Sequence, residues 1–167
     1  MFQGLKSKLD DMGAVKRLCE RAEAYALQDQ QRQPGAEHFL LAALDLPDGT
    51  ARHAFEQAGA EPDALRAAID QQYADALRGI GLIAETPTAA PLPTPSGPYQ
   101  AAASGQAVMQ ALAATRKSHS SLLGAHVVAV VADMSEGVAP RALRALGVDL
   151  ARLKSTADAI AQAGHTR

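Results

Sequence analysis

The residues of this sequence that invite a chemical explanation first are two histidines in similar surroundings. His38 follows Gly-Ala-Glu and precedes Phe-Leu-Leu, and His126 follows Leu-Gly-Ala and precedes Val-Val. A pair of histidines can bind a metal or move protons. A zinc site would need further ligands, and no Cys, His or Asp with suitable spacing surrounds either residue. We therefore expect both to be hydrogen-bonded packing residues near helix starts, with a ligand or catalytic role as the alternative.

The only cysteine is a second candidate, because a thiolate activated by a histidine is a nucleophile. Cys19 lies between Leu18 and Ala22 on an apolar stripe with helical spacing. This position is typical of a small core residue. A hydrolase using Cys19 or a histidine remains the enzymatic alternative. A single cysteine excludes an internal disulfide and fits a reducing cytoplasm.

Several catalytic motifs are absent from the sequence. There is no Gly-x-Ser-x-Gly elbow, no His-Glu-x-x-His motif and no phosphate-binding Gly-x-x-x-x-Gly-Lys-Ser/Thr loop. The Lys-Ser pairs that begin at Lys6, Lys117 and Lys154 lack the preceding glycines. We therefore predict that the chain does not hydrolyse ATP, that it is not an enzyme, and that it has neither a metal nor another cofactor.

Charge and hydropathy limit the classes of partner that this chain is expected to bind. Sixteen Lys and Arg against eighteen Asp and Glu leave a formal charge of −2, whereas nucleic-acid binding usually needs a concentrated basic face. No apolar run approaches the length of a membrane span. We expect a cytoplasmic protein that binds neither nucleic acid nor membrane. Four basic residues near the C-terminus are expected to form a solvated face, with a patch for an acidic partner as the alternative: Arg141, Arg144, Arg152 and Lys154.

The surroundings of the two histidines belong to a longer internal repeat. His38 and His126 are 88 residues apart, and glycines repeat at the same offset. The matching glycine pairs are Gly49 with Gly137 and Gly59 with Gly147. Self-similarity at a fixed period outranks local propensity as evidence about the fold. We therefore predict an all-α fold of two pseudo-symmetric four-helix repeats, in which these residues have structural roles.

Helical periodicity and capping residues predict eight principal helices in two groups of four. The first predicted helix follows Asp11, carries an apolar stripe from Val15 to Ala26 and ends at the polar residues 28–33. The other predicted spans are Glu37–Leu46, Ala51–Ala58, Pro62–Gly79, Gln106–Lys117, Gly124–Met134, Gly137–Leu146 and Leu150–Ala163. The valines of the sixth span favour a buried strand by composition. A lone strand would have no partner here, so we predict a helix.

The elements group into four regions. We predict a leader at 1–11, a first repeat at 12–82, a proline-rich linker at 83–103 and a second repeat at 104–163. The leader is either a short helix or a loose segment. Side chains expected to cap the following helices are Asp11, Thr50, Ser104 and Asp149. Gly59 and Gly147 are expected to end helices in the left-handed conformation.

Two strings of residues carry a resemblance to a known family. Gly35-Ala36-Glu37-His38-Phe39-Leu40-Leu41, with its spacing to Asp48-Gly49-Thr50-Ala51, resembles the signature of the Clp amino-terminal repeat. The second copy, Glu136-Gly137-Val138-Ala139 followed by Ala145-Leu146-Gly147-Val148-Asp149-Leu150, is similar to another segment of that family. The likeness covers roughly residues 14–77 and 104–160.

The resemblance implies an all-helical domain with pseudo-twofold symmetry. In the family this domain precedes the ATPase rings of Clp unfoldases and receives protein substrates and adaptors. It implies protein or peptide substrates and adaptors as partners, and a Clp ATPase or protease as a further one. The start at Met1 and the non-matching leader favour a free-standing relative over a fragment.

The resemblance also implies a role for one carboxylate. In some members an acidic residue of each repeat receives the guanidinium of phosphorylated arginine, by bidentate pairing. Glu37 stands at the matching position of the first repeat, whereas Ala125 stands at the second and cannot do this. At most one such site is therefore expected. The alternative is that Glu37 only stabilises its helix start through the helix dipole.

These observations predict a non-catalytic protein-binding module linked to regulated proteolysis or quality control. It would hold a substrate, adaptor or peptide in the groove between the repeats, with Glu37 as a polar anchor. The alternative is a stand-alone decoy that sequesters ligands or adaptors from a Clp ATPase.

Overall fold

The computed structural model describes residues 2–83, 89–116 and 121–164 of the chain, and within them the fold is all-α, as predicted. The helices are α1 (Phe2–Gln28), α2 (Ala36–Leu44), α3 (Thr50–Gln57), α4 (Leu65–Gly79), α5 (Ala103–Arg116), α6 (Gly124–Ala132), α7 (Val138–Ala145) and α8 (Leu150–Gly164). A 3-10 turn, Pro62–Ala64, precedes α4. The valine-rich span is a helix, which confirms the choice made over a strand.

The prediction that Asp11 caps the start of a helix is wrong. α1 continues without interruption from Phe2 to Gln28, because a single glycine at Gly13 weakens a helix without stopping it. The Asp11 side chain is buried and does not cap α1. Its Oδ1 atom instead accepts a hydrogen bond from the backbone N–H of Leu122 at 2.8 Å. Asp11 therefore ties the middle of α1 to the segment that enters α6.

The two signature helices, α2 and α6, form the centre of the bundle. Every residue of α2 is buried, and so is every residue of α6 except Val130, which is partly exposed. The two helices contact each other, and both contact α3, α5 and α7. Helices that are apolar on all sides are stable only when they are surrounded in this way.

Close approach between the halves depends on two glycines. A Cβ atom at Gly124 would lie 2.9 Å from the Cβ atom of Ala51 and 3.0 Å from the carbonyl oxygen of Ala43. A Cβ atom at Gly105 would lie 2.3 Å from the carbonyl oxygen of Pro34. The bare Cα atoms of these glycines thus allow α6 and α5 to touch the backbone of the first half.

The side chains of Thr50 and Ser104 cap helices other than their own, so their predicted roles are wrong. Thr50 is the first residue of α3, and its Oγ1 atom accepts the backbone N–H of Ala125 in α6 at 2.9 Å. Ser104 lies inside α5, and its Oγ atom accepts the N–H of Ala36 in α2 at 3.1 Å. Each half therefore supplies a cap to the central helix of the other half. The residues next to each helix start do not predict this long-range relationship.

Other local predictions are confirmed. The Oδ1 atom of Asp149 accepts the N–H of Arg152 at 3.1 Å in the first turn of α8. Gly59 and Gly147 end α3 and α7 with φ angles of 76° and 75°, which is the left-handed conformation expected after a helix. The pseudo-twofold relation of the two halves and the four region boundaries stay predictions.

Part of the predicted proline-rich linker lies against α1. Of residues 83–103, positions 84–88 lie outside the described residues. From 89 to 102 the chain is non-helical, and the N–H of Leu92 donates to the carbonyl of Leu27 at 3.0 Å. The described helices include none with the length and apolar character needed to span a bilayer.

Candidate functional site

A partly buried polar network joins the end of α1 to α2 and α4, and we call its five members the Asp29 network. They are Asp29, Glu37, His38, Arg66 and Tyr73. The Asp29 side chain is only 5% exposed. Its carboxylate accepts hydrogen bonds from His38 Nε2 at 2.9 Å and from both terminal nitrogens of Arg66. Buried charges are stable when they are paired and hydrogen-bonded in this manner.

The hydrogen bonds of His38 fix its tautomer. The backbone N–H of Gly35 donates to His38 Nδ1 at 2.9 Å, so Nδ1 carries no proton. The proton of the neutral ring therefore lies on Nε2, which donates to Asp29. His38 closes the N-terminus of α2 on one side and holds the end of α1 on the other. This is the hydrogen-bonded packing role expected for it.

Two opposing effects set the protonation of Asp29. Burial alone would raise the pKa of this carboxyl group. Hydrogen bonds from His38 and Arg66, with the positive charge of Arg66, outweigh burial and lower the pKa below its ordinary value. The ion pair between Arg66 and Asp29 is thus maintained at neutral pH. Arg66 also contacts Asp70 at 2.8 Å, one turn further along α4.

Glu37 lies in the first turn of α2, as expected, but its side chain is only 7% exposed. The hydroxyl of Tyr73 donates to Glu37 Oε1 at 2.7 Å. Burial and the adjacent Glu37 carboxylate raise the pKa of Tyr73, so this hydroxyl keeps its proton and remains a donor. A guanidinium ligand would therefore have to compete with Tyr73 for Glu37. Because α2 is buried throughout, it cannot line an open groove between the halves.

The corresponding region of the second half is more open. His126 is buried, and its Nδ1 atom accepts the N–H of Leu123 at 2.9 Å, which matches the bond between His38 and Gly35. His126 also lines a cleft of about 240 Å³ with Lys154 and Asp158, whose charged atoms are 3.0 Å apart. This cleft therefore presents a positive charge, a negative charge and the His126 ring, a combination that suits a polar side chain.

Cys19 was expected to be a small core residue. It is half-buried and packs against the core. Burial raises the pKa of its thiol, and a hydrogen bond with Tyr99 opposes this only in part. Its carbonyl oxygen accepts the Tyr99 hydroxyl at 3.2 Å. The described contacts of Cys19 are with Tyr99 and with the core, so they give the hydrolase alternative no support.

The four basic residues near the C-terminus are not a uniform patch. Arg144 donates to the carbonyl of Ser135 at 3.0 Å, and Lys154 pairs with Asp158. Arg141 and Arg152 are exposed on α7 and α8. Two of the four are thus engaged locally, which weakens the patch as a site for an acidic partner.

Sequence reasoning found Glu37 and His38 but missed Asp29, Arg66 and Tyr73. Asp29 sits in a polar run after α1, and the other two lie on the mixed surface of α4. The available signal was indirect: a helix-ending aspartate beside a negative helix terminus needs a cation nearby. Across the described part of the chain, no group of three or more His, Cys, Asp or Glu residues has metal-binding geometry.

Comparison with known proteins gives one informative result. Residues 14–88 match the model of the Clp repeat (R) N-terminal domain. This region includes α2, α3 and α4 and the whole Asp29 network. Comparison with curated proteins gave no match. Over residues 14–88, the chain is similar to the Clp repeat (R) N-terminal domain.

Proposed function

We propose that this chain is a docking module that binds protein substrates or adaptors of a Clp-type proteolytic system. The family match over residues 14–88 carries the proposal, because domains of this family are non-catalytic docking domains. The contacts of Cys19 and His38 agree with it, since each has a structural explanation without catalysis. A protein ligand then contacts mainly the outer surfaces, because the signature helix α2 is enclosed.

Glu37 remains the proposed anchor for an arginine side chain of the ligand, with one added condition. The Glu37 carboxylate is charge-compatible with a guanidinium, but Oε1 is already bound to the Tyr73 hydroxyl. Binding would require Tyr73 to rotate away or to share the carboxylate. Tyr73 therefore acts as a gate in this proposal, and removing its hydroxyl should make Glu37 more available.

The test titrates a fluorescent peptide containing one arginine, with and without arginine phosphorylation, against three forms of the protein. The Tyr73→Phe variant should bind several-fold more tightly than the wild type. Glu37→Gln should lose about tenfold or more, since a charge-assisted pair is replaced by a neutral one. A peptide with citrulline in place of arginine is the matched control. Equal affinities in all three proteins would remove Glu37 from the site.

The alternative function is a decoy that withholds ligands from a Clp ATPase. Addition of the chain to a degradation reaction of a Clp ATPase and its protease separates the two. Delivery raises the rate of substrate loss, whereas sequestration lowers it. A rate that does not change at saturating concentrations would argue against both roles.

A further inference from the structure

The proline-rich segment against α1 is held by contacts that resemble those of a bound peptide. We call residues 90–100 the strap. The side-chain amide of Gln30 donates to the carbonyl of Ala90 at 2.7 Å. The N–H of Leu92 donates to the carbonyl of Leu27 at 3.0 Å. The end of α1 thus contacts a carbonyl and an amide two residues apart, which is how extended peptides are recognised through their backbone.

The conformation of Gln30 supports this reading. Among the described residues it is the only one other than glycine with a positive φ angle, 59°. The N–H of Gln31 donates to the carbonyl of Ala26 at 2.8 Å, which closes the helix end as glycine usually does there. A glutamine is less favourable than a glycine in this conformation, because its Cβ atom crowds the backbone. In return it places a side-chain amide against the strap.

The other end of the strap has separate attachments, and the middle is loosely packed. Tyr99 donates to the carbonyl of Cys19 at 3.2 Å, and Gln33 donates to the side-chain oxygen of Gln100 at 3.0 Å. Between these attachments the strap borders a cavity of about 320 Å³, which Glu23 and Arg32 also line. A segment that bridges a cavity of this size is not closely fitted to the surface below it.

The composition of the strap makes it easy to dock and easy to release. Its four prolines have no N–H to satisfy and favour an extended backbone. Residues 93–100 are all exposed, so little apolar area is buried by docking. Covalent attachment supplies an effective concentration of the order of millimolar, which is enough to keep a weak contact closed.

We propose that the surface at the C-terminal end of α1, made by Leu27 and by Gln30 and Gln33 just beyond the helix, is a docking site for extended, proline-containing peptide segments. The strap occupies this site in cis and is displaced when a protein ligand with the same pattern binds. The proposal deepens the proposed docking function and rests on it. It names residues other than Glu37, so the two can fail separately.

The experiment uses the full chain with residues 90–100 replaced by a Gly/Ser segment of equal length. The probe is a fluorescent peptide with the sequence of residues 90–100, followed by anisotropy. We expect the replaced chain to bind the peptide at least tenfold more tightly than the wild type, whose site is filled. Gln30→Gly in the replaced chain should weaken binding several-fold without lowering the midpoint of thermal unfolding, because glycine suits a positive φ.

Two control peptides define specificity. Methylation of the backbone nitrogen of Leu92 removes its donor and should abolish binding. Replacement of the four prolines by alanine should weaken binding, since a more flexible peptide loses more entropy on docking. A folded replaced chain that fails to bind at millimolar peptide, or that binds the methylated peptide equally well, would overturn the proposal. The arginine-peptide titration would be unaffected by that failure.

If the replaced chain does not fold, amide exchange in the wild type decides the question. The Leu92 N–H should be protected by its bond to Leu27, and excess free peptide should accelerate its exchange as the strap is displaced. Unchanged Leu92 exchange at millimolar peptide would also overturn the proposal.

Discussion

Asp48 and Gly124 connect the two halves across 76 residues of sequence. The N–H of Gly124 donates to the two carboxylate oxygens of Asp48 at 3.3 and 3.1 Å. The same carboxylate accepts the N–H of Thr50 at 2.8 Å. A negative charge from the first half therefore lies at the positive end of α6, where the helix dipole favours it. The starting point of α6 is set by this contact as much as by its own sequence.

Gly124 should tolerate no side chain at this contact. We expect Gly124→Ala to lower the free energy of unfolding by about 1–3 kcal/mol, since the added methyl group would meet Ala51 and Ala43 at about 3 Å. Gly13→Ala is the matched control, because Gly13 lies within α1 and an added Cβ there has no neighbour within 4 Å. That variant should gain up to about 1 kcal/mol from helix propensity. Urea denaturation measures both, and equal effects would refute the packing argument.

His38 and His126 should both stabilise their helices through the same backbone bond. His126→Ala is expected to cost about 1–3 kcal/mol, from the lost cap and the lost buried ring. His126→Gln should recover part of this, because a glutamine at the third helical position can also accept the cap N–H. His53→Ala, at an exposed position of α3, should change stability by less than about 0.5 kcal/mol. A glutamine variant no better than alanine would show that the ring, and not the cap, matters.

The extent to which sequence predicted the fold follows from the range of the interactions involved. The helices and the left-handed ends at Gly59 and Gly147 depend on neighbours within about four residues, so periodicity found them. The caps made by Thr50 and Ser104 reach across 75 and 68 residues. Their side chains have equally good local uses, and only tertiary packing selects the distant one.

In the candidate site, too, local interactions could be predicted from the sequence and long-range interactions could not. His38 was assigned a hydrogen-bonded packing role because it repeats beside a helix start, and its bond to Gly35 is local. The Asp29 network combines Asp29, just after α1, with residues of α2 and α4. No spacing rule relates Asp29 to Arg66, which lie 37 residues apart. The contact of Tyr73 with Glu37 could likewise not be predicted from the sequence, because it depends on how α4 crosses α2. Charge type predicts what a residue can bind, whereas packing decides whether it is accessible.

Cys19 should react slowly with alkylating reagents. Burial raises the pKa of its thiol above the ordinary value of 9.0, so the reactive thiolate is scarce at neutral pH. We expect labelling by iodoacetamide at pH 7.5 to be at least tenfold slower in the native protein than in urea. Mass spectrometry of timed samples measures both rates. A native rate equal to or above the unfolded rate would favour the hydrolase alternative.

The ion pair of Asp29 predicts a particular acid sensitivity. Its pKa in the folded protein is below the ordinary 3.8, so the unfolded chain takes up this proton first as pH falls. The stabilisation is therefore complete above about pH 5, and it is lost as pH drops through 3.8 towards the folded value. Asp29→Asn should cost about 2 kcal/mol at pH 7, because Arg66 and His38 lose a charged acceptor. Below pH 3.8 the variant and the wild type should therefore converge as the pH falls.

Urea denaturation from pH 7 to pH 2.5 tests this convergence. Asp63→Asn is the matched control, since Asp63 pairs with Arg52 but its side chain is 74% exposed. Exposed pairs contribute little to stability, so the difference between Asp63→Asn and the wild type should remain small at every pH. A difference for Asp29→Asn that stays constant down to pH 2.5 would mean that geometry, and not charge, accounts for its effect. The Asp29 network would then be a packing cluster whose ionisation does not matter to the fold.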